Sequence, residues 1–89
     1  MAKNKSITIN RVAADLQASK ARSMAVSKGF KITRRADGMP YFTRRDADIM
    51  PCGAVWVFTS YTLDINRDRG LVVQTKKHFD LFVLFRSIL

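Results

Sequence analysis

Two arginine pairs, Arg34-Arg35 and Arg44-Arg45, stand on either side of Asp37-Gly38 in the stretch from Lys31 to Arg45. A guanidinium is a planar fork of donors that can meet a phosphate at two points. Arginines gathered on one small element therefore suit a polyanion. Asp-Gly supplies the positive φ of a tight hairpin. Ile32, Thr33, Tyr41, Phe42 and Thr43 favour extended backbone on both sides of it. Strand alternation splits each pair between the two faces of the ribbon. With Ile32 and Phe42 packed inward, Arg34 and Arg44 lie nearer the body of the protein. Lys31, Arg35 and Arg45 are then the freer phosphate ligands. The plainer alternative for the same residues is a solvated charged face.

Catalytic chemistry finds no such support. His78 follows two lysines and has no neighbour in sequence to act with, which suits a surface or capping role. Cys52 sits beside Gly53 with neither a general base nor a metal-ligand partner nearby. All seven acids are Asp, and they are scattered along the chain, so a paired-carboxylate site is not expected. The expectation is a non-enzymatic protein with no cofactor and no metal.

The chain has 89 residues, a length that predicts one domain. Its hydrophobic content of 47% is enough for a modest core, and its formal net charge is +9. A charge of that size speaks to partners rather than to fold. Eleven of the 16 Lys and Arg, but only four of the seven Asp, fall within residues 1–50. The chain thus divides into a flexible basic arm (1–6), a basic nucleic-acid-binding part (7–50) and an apolar core or interface part (51–89). One thiol makes no internal disulfide and fits a reducing compartment. Neither a signal peptide nor a membrane span is evident. The expected location is cytoplasmic, on the nucleoid if DNA is the ligand.

Several elements must position the arginines. Asn10 is a plausible N-cap for a helix from about Arg11 to Leu16, with Val12, Ala13 and Leu16 on its core face. A break at Gln17-Ala18 and a second cap at Ser19 would begin another helix from about Lys20 to Lys28. Met24 and Ala25 would face the core, and Gly29 stops the helix. The open alternative is one continuous helix from Arg11 to Lys28. After the hairpin, Arg45 to Met50 reads as a short helical turn ending at Pro51, and Cys52-Gly53 as a loop. Ala54 to Thr62 is the clearest strand, with Val55, Val57, Thr59 and Tyr61 on one face and Trp56 and Phe58 on the other. Asn66 to Gly70 is a polar turn and Leu71 to Gln74 a returning strand. Residues 75–89 are open between strand and a helix capped by Thr75. The fold class is α+β.

Ile7 to Leu16, followed by Ala18-Ser19-Lys20-Ala21-Arg22, Lys28-Gly29-Phe30 and Tyr41-Phe42-Thr43-Arg44-Arg45-Asp46, resembles the small winged helix-turn-helix modules of excisionases and MerR-type regulators. The resemblance covers residues 7–49. It implies two short helices and a basic wing, with Ser19, Lys20, Arg22 and Ser23 presented to a major groove. It also implies Arg34, Arg35, Arg44 and Arg45 on the adjacent backbone or minor groove.

The expected function is binding of nucleic acid, duplex DNA before RNA, by an architectural or regulatory protein of a phage or mobile element. Tyr41, Phe42, Trp56, Phe58 and Tyr61 offer a further option, a stacking platform for single-stranded bases. Core packing is the plainer role for most of them, Tyr41 being the exception. The dense apolar stretch around Phe79, Phe82, Phe85 and Leu89 suggests either core or an interface, with a second copy or with a host protein. The alternative function is accordingly a small inhibitor or adaptor that blocks a host protein's acidic or nucleic-acid-binding surface.

Overall fold

Asn10 begins the first helix as expected: its Oδ1 accepts the Ala13 N–H at 2.8 Å, satisfying one of the donors a helix start leaves open. The computed structural model describes residues 8–63, 66 and 70–88. The arm 1–6, residue 7, most of the turn 66–70, and Leu89 lie outside the described residues.

One continuous helix, α1 (Arg11–Ser27), replaces the two short helices. Gln17-Ala18 forms no break and Ser19 no cap, because none of the three prevents helical backbone and Ala favours it. The helix ends where Gly29 takes φ +87° and the Phe30 N–H returns to the Ala25 carbonyl at 2.9 Å, a glycine-dependent stop.

Five strands follow: β1 (Lys31–Arg34), β2 (Pro40–Arg44), β3 (Ala47–Cys52), β4 (Val55–Tyr61) and β5 (Val72–His78). They form one antiparallel sheet in sequence order. A short helix, α2 (Leu81–Arg86), closes the described chain. The helical turn expected at residues 45–50 is instead the Arg45-Asp46 turn and strand β3, with Arg44 opposite Ala47. Asp48 and Pro51 are poor strand formers. Pairing with β2 on one side and β4 on the other overrides that preference. The ambiguous segment 75–89 divides into the end of β5 and α2. Asp80 rather than Thr75 caps the helix, its carboxylate accepting from Phe82 N–H at 2.9 Å.

Both helices pack on one face of the sheet. The core joins Phe42, Ile49, Trp56 and Phe58 of the sheet to Leu81, Leu84 and Phe85 of α2. Phe42 and Phe85 meet edge to face with centroids 5.0 Å apart. From α1 the core buries Ala14, Ala18, Ala21 and Ala25, with Ala13 and, as expected, Met24 packed against it at the edge. The large rings leave room for small residues alone, so the helix lies close on its alanine face. Val12 and Leu16, expected in the core, are 79% and 57% exposed. Two long-range bonds tie the helices together: Gln17 Oε1 accepts from Leu81 N–H at 2.9 Å, and Lys28 Nζ donates to the Ile88 carbonyl at 2.8 Å.

Candidate nucleic-acid interface

The second face of the sheet carries no helix among the described residues. Its residues alternate with the core set: Lys31, Thr33, Tyr41, Thr43, Asp48, Met50, Val57, Thr59, Tyr61, Thr75 and Lys77. Register places Lys31, Thr43, Asp48, Thr59 and Thr75 in one row across all the strands. Asp48 is buried in this row and accepts from Thr43 Oγ1 at 2.9 Å. A row containing Met50, Val57 and Lys77 runs beside it. Arg35, Met50, Val57, Thr59 and Tyr61 help to line a shallow concavity of about 270 Å3 there.

The hairpin forms around Gly38, whose φ is +86°. Gly38 N–H donates to the Arg35 carbonyl and Arg35 N–H to the Met39 carbonyl, each at 2.9 Å, closing a three-residue loop. Its arginines separate as strand alternation predicts. Arg34 turns to the helix layer and pairs with Asp15 at 2.9 Å. Arg44 pairs with Asp46 at 2.6 Å, donates to the Lys28 carbonyl at 2.8 Å and lies 4.6 Å over the Phe30 ring.

Arg35 is more occupied than expected. It pairs with Asp37 at 2.8 Å and donates to the Pro51 carbonyl at 3.1 Å. The hydrogen bond that Arg35 donates to Asp37 raises the Arg35 pKa above its ordinary value. In return that bond, with help from Met39 N–H, holds the Asp37 carboxyl below the usual aspartate value. Lys31 and Arg45 are exposed and have neither a hydrogen bond nor an ion pair among the described residues. Lys77 on β5 is equally free. Sequence reasoning missed Lys77 because residues 75–89 were open between helix and strand. The signal was the alternation of Thr75 and Lys77 against Gln74, Lys76 and His78.

Ser19, Lys20, Arg22 and Ser23 are exposed in the middle of α1, on the helix layer and so across the sheet from Lys31. They do not share a surface with the open face. Lys20 lies beside Phe79 and Phe82, and Arg22 lies beside Asp15 and Arg34. No separate second helix presents them to a groove. Of the expected stacking residues, Phe42, Trp56 and Phe58 belong to the core. Tyr41 and Tyr61 stand half-buried on the open face. Of the expected interface residues, Phe79 and Phe82 are exposed, whereas Phe85 is fully buried against Phe30 and Phe42. His78 has a capping role: its Nδ1 accepts the Asp80 N–H at 2.8 Å.

Comparison with protein-family models, with curated proteins and with solved structures finds no match for this chain. No helix among the described residues is long and apolar enough to cross a membrane.

Proposed function

We propose that this protein binds nucleic acid without catalysing a reaction, and that duplex DNA is its principal ligand. It would serve as an architectural or regulatory protein. The observation that carries the reading is the open sheet face. Lys31, Arg45 and Lys77, whose side chains have no partner among the described residues, stand on that face or at its rim, and Arg35 stands at its corner. The net charge of +9 supports the same ligand class. Contacts of this kind fix position on the phosphate backbone more than they read sequence. The surrounding Thr33, Thr43, Thr59 and Thr75 hydroxyls suit phosphate or sugar oxygens in the same way.

The test is fluorescence anisotropy with a short duplex over a range of salt. Each neutralised phosphate contributes roughly 0.9 to the salt slope. Lys31→Ala combined with Arg45→Ala is expected to lower the slope by about 2 and to abolish retention near physiological salt. Affinity that does not change with salt would overturn the reading. A marked preference for single strands would move it to base stacking on Tyr41 and Tyr61.

A second reading, docking on a host protein, is favoured by a different surface. Leu16, Phe79 and Phe82 are exposed, and the last two line a concavity of about 210 Å3 with Gln17 and Lys20. Co-purification of one protein after nuclease treatment, lost in Phe82→Ser but retained in the Lys31/Arg45 double variant, would favour it.

A further inference from the structure

The two edges of the sheet are finished differently. β1 has four residues and carries Lys31 and Arg34; β5 carries Lys76 and Lys77, so charge, which discourages strand addition, does not separate the two edges, and length and apolar content do. β5 has seven residues, none of them buried, and no described strand lies beyond it. An edge strand turns alternate N–H and C=O groups outward without partners.

Large apolar residues stand at both ends of this edge. Leu71 and Val73, at its start, are 75% and 63% exposed, and Phe79, just past its end, is 69% exposed. Antiparallel pairing of β5 with itself, centred on Thr75, brings these ends together. Leu71 falls opposite Phe79, Val72 opposite His78, Val73 opposite Lys77, and Gln74 opposite Lys76. Each lysine thus faces a neutral residue, and like charges are never directly opposed. Lys76 is also turned toward the helix layer, where its Nζ donates to the Ser87 carbonyl at 2.6 Å. The irregularity between Ser60 and Tyr61 affects only the Val72–Val73 end, so the edge from Gln74 to His78 keeps a regular register.

We propose that two copies of this chain join through β5, continuing one antiparallel sheet across a twofold axis. The occupant of the edge is a second copy because the two ends of this strand complement each other. A twofold axis perpendicular to the sheet sets both open faces on the same side. Lys31, Arg45 and Lys77 then occur twice on one continuous surface. The association itself does not depend on what that surface binds.

Sedimentation equilibrium of the full chain tests the proposal, at low and high salt and without nucleic acid. The expected species is a dimer that tightens as salt rises, because salt screens repulsion between two copies of charge +9. Binding to nucleic acid weakens as salt rises, so the two readings fail separately. Val73→Lys, which sets a lysine against Lys77 of the second copy, and Phe79→Ser should each weaken the dimer by about tenfold or more. Both positions are exposed, and circular dichroism checks that the fold is kept. Leu16→Ser, on the far side of α1, should leave the dimer unchanged. A monomer at every concentration and salt, a dimer that survives both β5 substitutions, or one lost only with Leu16→Ser would overturn the proposal.

Discussion

Arg44 turns inward over the Phe30 ring and donates to the Lys28 carbonyl, whereas its neighbour Arg45 ends in solvent. Removing the first loses a charge-assisted bond, an ion pair and a packed aliphatic stem. Arg44→Ala is expected to lower stability by about 2 kcal/mol in urea titration. Arg45→Ala should stay within about 0.5 kcal/mol of the parent while reducing the salt slope of duplex binding by about 1. The inward turn of Arg34 and Arg44 was legible in the sequence, since alternation about Ile32 and Phe42 dictates it. The binding of Arg35 was not, because its acceptor, the Pro51 carbonyl, arrives from a strand that the sequence did not suggest. Asp37 adds a pH dependence. Its carboxyl is held below the ordinary aspartate value by Arg35, so the folded protein binds fewer protons there than the unfolded chain. The stabilisation is complete above the ordinary value and disappears as the pH falls through the depressed one. Melting curves in acid should show this dependence reduced in Asp37→Asn and no difference in its slope near neutrality.

At the scale of elements, the ends of α1 were readable and its buried face was not. Asn10 and Gly29 act locally, through a cap and a left-handed backbone, and local rules find them. The choice between Val12-Leu16 and the alanines depends on what the sheet presents, and Phe42, Trp56 and Phe58 leave no room for larger side chains. Ala21→Leu is expected to destabilise the protein by about 3 kcal/mol, measured by denaturant unfolding. Val12→Ser, on the exposed side, should have little effect. β3 went unread for a related reason. Asp48 and Pro51 speak against a strand in isolation, and the rows on both sides hold it in place.

The whole molecule kept the expected class, α+β, and the expected split of Trp56 and Phe58 from Val57, Thr59 and Tyr61. The open sheet face and its rim carry Lys31, Arg45 and Lys77, while Lys20, Arg22 and Arg86 are exposed on the helices; exposed apolar residues lie along β5 and beside Phe82, and also at Val12 and Val26 of α1. Charge and exposed apolar surface thus meet in two proposed sites, the open sheet face and the β5 edge. The composition alone placed both in the chain without saying where on the fold they stand. Salt should act on the two surfaces in opposite senses, and a single salt series on the full chain measures both.

The order β1 to β5 along the sheet repeats the order along the chain, so each strand needs only its predecessor to pair. Loop-closure entropy is then met in short steps. The most distant of the hydrogen bonds described above, Gln17 to Leu81 and Lys28 to Ile88, span 64 and 60 residues. Docking of α2 on α1 is therefore expected on the native side of the folding barrier. Stopped-flow measurement of Gln17→Ala should show faster unfolding with an almost unchanged folding rate. The helix clasp would thus govern how long the native state lasts, while the meander governs how quickly it is reached.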